Sequence, residues 1–260
     1  MTQRWRAGRD SYRPAGEVID TSKYEVAEIT DDTPAKAFVV EHHYSGGYPA
    51  ARFRFGLYRA GDLVGVAVFS HPANDKVLTS VFPVAAADAT ELGRFVLLDD
   101  VPANGETWML GRCFEQLRDR VAGVVSFSDP VARTDSGGAR VFPGHLGIIY
   151  RAHNGRYVGR GTARTLRLLP DGKVFSARAM QKIRAREQGW RYAAAILERH
   201  GASALAEDAD PRLWLRTWLP RITRPLKHGG NLKYVWPIDR ALRAHLPPAL
   251  PYPTREELAC

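Results

Sequence analysis

The stretch ARFRFGLYRAGDLVGVAVFSHP, residues 51–72, decides how the first half of this chain is read. Phe53, Phe55 and Leu57 alternate with more polar partners, the period-two signature of a strand with one buried face. Gly61 and Asp62 then turn the chain into a run, LVGVAVF, that is apolar almost throughout. The pair reads as a β-hairpin whose second strand is the more buried.

Working outward, KYEVAEI (residues 23–29) predicts a strand. TPAKAFVVEHH (33–43) predicts a helix with Thr33 at its cap and Pro34 at its first position, stopped by the glycines and proline of YSGGYP. Beyond the hairpin, ELGRFVLL (91–98) predicts a third strand. After it, Met109, Leu110, Cys113, Phe114, Leu117 and Val121 recur at helical spacing behind Asn104 as cap. GVVSFSDP (123–130) is a fourth strand. Strand, helix, hairpin, strand, helix, strand specifies an α/β mixed sheet with helices on its faces, and ligands in such sheets bind at strand ends beside helix N-termini. There is no Walker lysine motif, and no GxGxxG follows a strand.

With 260 residues, 45% of them hydrophobic, there is room for one domain or one and a half. No apolar run reaches the roughly 20 residues that cross a bilayer, and the basic start has no apolar region behind it, so neither a membrane span nor secretion is expected. The two cysteines, Cys113 and Cys260, have neither metal spacing nor the density of a disulfide framework, which fits a reducing interior.

The net charge of +9 is uneven. Residues 151–245 hold 20 Lys+Arg against 7 Asp+Glu, while the remainder holds 17 against 21. Such an imbalance favours a polyanion as partner of the second half, with a surface tuned for solubility as the plainer account.

Between the two halves lies SFSDPVARTDSGGARVFPGHLGIIYRAHNGRYVG, residues 126–159. Pro130 ends the strand and leaves Asp129 at its mouth, with Ser126 and Ser128 on one side. Asp129 there either caps the following turn or faces a cleft. GHLGIIYRAHN forms a short helix or turn carrying His145 and Tyr150, and RYVGRG and TARTLRLLPDGKVF read as two closing strands.

Six blocks in order, HHYSGG, GDLVGVAVFSHP, ELGRFVLLD, VVSFSDP, GHLGIIYRAHNGRYVGRG and NLKYVW, span roughly residues 42–236. Together they resemble the phage Mom-type DNA-modification proteins, a divergent Gcn5-related N-acetyltransferase-like family. The resemblance implies an acetyltransferase-like fold and conversion of adenine in DNA to N6-carbamoylmethyladenine, which protects phage DNA from host restriction. It also implies double-stranded DNA as partner and the cytoplasm of the bacterial host as location.

Carried onto this sequence, the resemblance points to Arg94, Ser126, Asp129 and Tyr150 as catalytic residues, with Tyr44, Ser45 and His145 on the substrate side. In the acetyltransferase fold the strand-to-helix loop holds the pyrophosphate of acetyl-CoA or a related acyl-CoA, which implies Asn104, Gly105, Glu106 and Thr107 here. A helix N-terminus supplies unpaired amides and about half a positive charge for that purpose. NGETWMLG nevertheless departs from the usual Q/R-x-x-G-x-G/A pattern, and Glu106 would repel phosphate if it faced the site.

The chemistry bounds the roles. Adenine N6 is a poor nucleophile, so a base must take its proton and an acid must assist departure of the leaving group. Asp129 can orient or deprotonate the amine and Tyr150 can supply the proton. Arg94 has the planar fork to steady charge on oxygen, or it pairs with Glu91. No metal is assigned: His42, His43, His71, His145 and His153 are scattered, and iron is left open.

In the basic half, Arg178, Lys182 and Arg186 repeat every four residues and predict a helical ridge, joined by Arg221, Arg224, Lys227 and Lys233 as phosphate contacts. Trp214 and Trp218 are spaced for packing a helix against the sheet. The expected organisation is a flexible segment 1–22, a core 23–175, a basic extension 176–245 that completes the core and the DNA face, and a loose tail 246–260. The competing functions are a coenzyme A-dependent N-acetyltransferase of small amines or proteins, and a noncatalytic DNA-binding phage protein. Oligomeric state and DNA sequence context are not readable.

Overall fold

A computed structural model describes residues 2–6, 9–14 and 16–254. The chain forms two compact units. Unit 1 comprises residues 1–130, 145–161 and 231–260, and unit 2 comprises 131–144 and 162–230.

In chain order the first segment of unit 1 gives β1 (Thr2–Arg6), β2 (Arg9–Arg13), β3 (Tyr24–Glu28), α1 (Asp32–His42), β4 (Ala51–Arg59) and β5 (Asp62–Ser70). It continues with α2 (Lys76–Thr79), β6 (Ala89–Leu97), α3 (Gly105–Leu117) and β7 (Gly123–Ser128). Unit 2 opens with the short β8 (Arg133–Thr134) and β9 (Arg140–Phe142); the chain then returns to unit 1 for α4 (Ile148–Ala152) and β10 (Arg156–Arg160). A second excursion builds β11 (Arg164–Leu168), α5 (Ala177–Ala185), α6 (Trp190–Glu198), α7 (Pro211–Ile222) and β12 (Arg224–His228), and β13 (Leu232–Pro237) closes unit 1.

The central sheet of unit 1 has the order β10-β13-β7-β6-β5-β4-β3, antiparallel throughout except for the parallel β6–β7 pair. Arg59 pairs with Asp62, so the β4–β5 loop is Ala60-Gly61, and both residues have positive φ (50° and 87°). That is the twist-matched geometry of a two-residue hairpin.

The apolar run of β5 is explained by coverage on both faces. Ala67 and Phe69 join Phe55, Leu57, Met109, Leu110, Cys113 and Leu117 under α3. Val66 and Val68 face the other way, against Ala35, Phe38 and Val39 of α1. Burying a side chain such as Phe55 or Leu110, both fully enclosed, contributes about 1.5–3 kcal/mol.

Four expectations change. Asp31, not Thr33, caps α1, its carboxylate accepting from Thr33 N at 3.0 Å. The start expected to be loose carries the paired β1 and β2, and Arg4 within it is buried against Glu106 at 2.5 Å. Of the two closing strands, only β10 joins the main sheet; β11 pairs with β12 inside unit 2. Trp214 and Trp218 pack with Phe175, Ile183, Ala194 and Leu197 in the helical core of unit 2 rather than on the sheet.

The tail is tied down over its described part. Leu250 N donates to the Tyr157 carbonyl (2.9 Å), and Tyr252 Oη to the Gly155 carbonyl (2.7 Å). Cys260 lies outside the described residues. Among the described residues no helix is long and apolar enough to cross a membrane.

Candidate active site

The site begins where two parallel strands part. β6 and β7 pair from Ala89↔Gly123 to Leu92↔Ser126 and no further. The register of β6 against β5 also shifts at this point, between Leu92 and Arg94. Gly93 sits in the shift, and a Cβ on it would lie 2.5 Å from Ser70 Oγ. A side chain at this position would crowd Ser70 and Pro49.

Past that point each parting strand offers a polar side chain. Ser126, fully buried, donates through Oγ to the Leu92 carbonyl at 2.9 Å. Arg94 is half-buried; its Nε donates to the Gly47 carbonyl at 2.8 Å and its Nη1 to the Gly93 carbonyl at 2.6 Å. The guanidinium thereby clamps the loop after α1, which brings His43, Tyr44 and Ser45 to the same place.

In that loop His43 Nδ1 lies 2.8 Å from Ser45 Oγ, and Tyr44 Oη lies 3.3 Å from His145 Nε2. His145 is fixed in turn by its backbone, its N–H donating to the Asp129 carbonyl at 2.8 Å. Asp129 is half-buried at the mouth of β7, so its main chain joins β7 to the segment bearing Tyr150.

Tyr150 rises from α4 into a wall of rings, 5.4 Å from Tyr234 and 5.5 Å from Trp236 between centroids, with His145 at 6.3 Å. Ser126 and Arg94 are its polar neighbours. α4 is allowed so near the sheet because Gly147 precedes it at φ 69°, where a Cβ would lie 2.7 Å from Tyr234.

Burial raises the Tyr150 pKa, with Ser126 and Arg94 opposing it, so the phenol keeps its proton at neutral pH. Burial, with Arg94 and His145 adding to it, pushes His43 well below the usual histidine range. Its imidazole is neutral at pH 7, with Nδ1 accepting from Ser45 N at 3.2 Å. The carboxyl of Glu91 is raised by burial, with Arg94 opposing. The site thus brings a protonated phenol, a neutral imidazole and a fixed guanidinium together, groups of the kind that acid–base chemistry uses.

Of the residues expected from the sequence, Arg94, Ser126, Tyr150, Tyr44, Ser45 and His145 come together, with Asp129 at the edge. His43 was missed: a histidine closing a helix looks the same whether it points to solvent or to a strand end. Among the described residues no group of three or more His, Cys, Asp or Glu could hold a metal ion.

The expected pyrophosphate loop is built otherwise. Asn104 does not cap α3 with its side chain; its Oδ1 accepts from Ile19 N at 2.7 Å. Gly105 is buried against Val101 and Ile19, Thr107 Oγ1 turns back to the Asn104 carbonyl (3.0 Å), and Glu106 is buried on Arg4. Glu106 therefore does not face a ligand, and the repulsion expected from it is replaced by an internal ion pair. Burial still raises its pKa, with Arg4 opposing.

The basic residues divide. Lys182 and Lys227 lie on α5 and β12 of unit 2, Lys227 exposed. Arg178 is ion-paired with Glu187 at 2.6 Å. Arg221 stacks 5.4 Å over Trp218, and Arg224 donates to the Thr134 carbonyl and Oγ1. Arg186 does not extend the ridge: α5 ends at Ala185, and Arg186 turns left-handed (φ 48°) to donate to the Ala206 and Ala209 carbonyls. Lys233 belongs to β13 of unit 1, and desolvation lowers its pKa.

A mixed sheet that opens at its one parallel pair onto an arginine, a buried serine and tyrosine and a neutral histidine has the make-up of a group-transfer enzyme of the α/β class. The Mom protein family matches residues 23–253, and the chain belongs to that family.

The similar solved structures include these two. One is a tandem GNAT protein from the clavulanic acid biosynthesis pathway, at 11% identity and TM-score 0.36 over 55% of this chain and 48% of that one. The other is a Bacillus subtilis acetyltransferase in complex with CoA, at 9% identity and TM-score 0.32 over 83% of this chain and 97% of that one. This chain thus spans about half the length of the first. No curated protein sequence matches it.

Proposed function

We propose that this protein modifies adenine in double-stranded DNA at the exocyclic N6, giving N6-carbamoylmethyladenine. The observation that carries the reading is the convergence of Arg94, Ser126, Tyr150, Tyr44 and His43 at the parting of β6 and β7, in a chain of the Mom family.

The target base is flipped from the duplex to reach these groups, the general solution when chemistry is done on a base. As the bond between N6 and the incoming methylene carbon forms, the N6 proton passes to a neutral acceptor. His43 fills that role, with Asp129 orienting the amine. The bond from the methylene carbon to its leaving group breaks, and Tyr150 supplies the proton that the leaving group takes. Arg94 steadies negative charge on the carboxamide oxygen, a task suited to a guanidinium fixed by two carbonyls.

Unit 2 supports DNA as the substrate. It holds 16 Lys+Arg against 7 Asp+Glu, whereas unit 1 holds 21 of each. The whole net charge of +9 thus resides in the inserted unit, where phosphate contacts position a duplex without reading it.

The test is mass analysis of nucleosides from DNA of bacteria expressing the protein. A carbamoylmethyl increment on deoxyadenosine is expected; unmodified adenine alongside soluble, folded protein would overturn the reading.

A further inference from the structure

Unit 1 takes the N-terminus of α3, which an acyl-coenzyme would need, for its own chain. Ala103 N, in the loop that leads into α3, donates to Glu17 Oε2 at 2.8 Å. Glu17 is itself held by Arg13, whose Nε donates at 2.8 Å and whose Nη2 donates to the other carboxylate oxygen. Two residues on, Ile19 is 5% exposed and ties its N–H to Asn104 Oδ1.

The loop's carbonyls are taken as well. Arg4 donates to those of Leu98, Val101 and Pro102. Arg13 Nη1 donates to that of Asp99 at 2.7 Å, and Ser11 Oγ to the Asp99 carboxylate at 2.7 Å. The amides inside the turn close on it too, Gly105 N on the Pro102 carbonyl at 2.9 Å and Trp108 N on that of Asn104 at 3.2 Å. Around the end of α3 stand Glu17, Asp99, Asp100 and Glu106, matched by Arg13, Arg59 and Arg4.

A pyrophosphate placed there would have to expel a carboxylate from an amide it already satisfies and then sit among further carboxylates. Helix N-termini bind anions because their amides are unpaired and their dipole is uncompensated. At the approach to α3 that place is already taken, since Glu17 supplies an anion to Ala103 N and Gly105 N is turned onto the Pro102 carbonyl.

We infer that residues 11–14 and 16–19 form a strap that replaces the coenzyme pyrophosphate on α3, so that the donor reaches Arg94 and Tyr150 without an acyl-coenzyme anchored at this helix. The inference rests on the strap's geometry and not on the adenine reading. It leaves the residues named for the reaction unchanged and removes residues 104–107 from ligand binding.

Amide exchange of the full-length protein, followed by NMR with and without about 1 mM acetyl-CoA, tests it, with calorimetry on the same samples. The expected result is a protected Ala103 amide in free protein, no added protection over residues 103–108 with acetyl-CoA, and no heat of binding. In Glu17→Ala, Ala103 should exchange roughly fivefold faster or more, the effect of losing one hydrogen bond. Coenzyme-dependent protection of residues 103–108 in the wild type would overturn the inference, as would an Ala103 amide that exchanges equally fast in wild type and Glu17→Ala. DNA modification by the same preparations, read by nucleoside mass, separates this result from the fate of the functional proposal.

Discussion

The two units use charge in opposite ways. Unit 1 balances its charges one for one and spends them on itself: Arg4 with Glu106, Arg54 with Asp32, Arg59 with Asp100 and Arg120 with Glu28 each tie separate parts of the unit together. Unit 2 has more than twice as many cations as carboxylates, so its own acids cannot pair them one to one. A balanced surface serves internal wiring, and an excess is directed at something outside. Under the proposed function the neutral unit carries the chemistry and the basic one meets phosphate, and mutations should separate the two.

The largest effect belongs to Tyr150→Phe, which removes one proton and almost no volume. It should lower N6 modification by about 10²–10⁴-fold, the range for loss of a positioned acid, with DNA affinity and melting temperature near wild type. Asp129→Asn keeps the carbonyl that holds His145 and should lower modification as well; full activity would confine Asp129 to its main-chain role. A parallel loss of DNA affinity in either variant would break the separation of duties.

Next in size is the wiring of unit 1. Arg4→Met leaves Glu106 buried with one oxygen already lacking a partner and should cost about 3–5 kcal/mol in chemical denaturation. Arg4→Met with Glu106→Met should recover most of that, since paired apolar replacements remove the uncompensated charge. A single variant as stable as wild type would show that the N-terminal segment does not contribute to the core.

Gly93→Ala should destabilise unit 1 by about 1–3 kcal/mol through overpacking against Ser70, and Ser70→Ala should relieve part of it. Strict additivity of the pair in a double-mutant cycle would refute the close approach.

In unit 2, replacing Lys182, Arg184 and Lys227 by Gln should weaken duplex binding and reduce the slope of log K against log salt by up to about 0.9 for each phosphate no longer neutralised. Three exchanges of the same kind in unit 1, at Lys36, Arg112 and Arg118, should leave the slope alone. Equal effects would dissolve the contrast.

The smallest effect is on pH. The imidazole of His43 is held below its ordinary value of about 6.5, so the unfolded chain binds a proton there at a pH where the folded chain does not. Stability should therefore fall as pH drops below about 6.5, and His43→Asn should flatten that part of the profile. The activity of the wild type should persist to a lower pH than an unperturbed histidine allows.

Sequence reasoning reached the elements whose partners are near in the chain. The β4–β5 hairpin, α3 and β7 were legible because alternation and helical spacing report one buried face each. The second unit was not, because Arg164–Leu168 has the same pattern whether it pairs with the main sheet or with Arg224–His228. Periodicity states that a face is covered and leaves its partner open. In the candidate site, Arg94, Ser126 and Tyr150 were expected from the resemblance, whereas the places of His43 and of Glu17 depend on proximity between distant segments that spacing does not encode.

The placement of β13 also fixes the order in which this molecule can be finished. Among the described residues it is the last strand, yet it lies between β7 and β10, paired with both. A nascent chain released one residue at a time therefore presents β7 as an open edge while the whole second excursion is being made. An unpaired edge is a template for other chains, and long-range pairing is slow because loop closure precedes its reward. Tyr234 and Trp236, which wall in Tyr150, arrive on this same strand. The wall of rings around Tyr150 is thus closed only after the whole second excursion, residues 162–230, has been made.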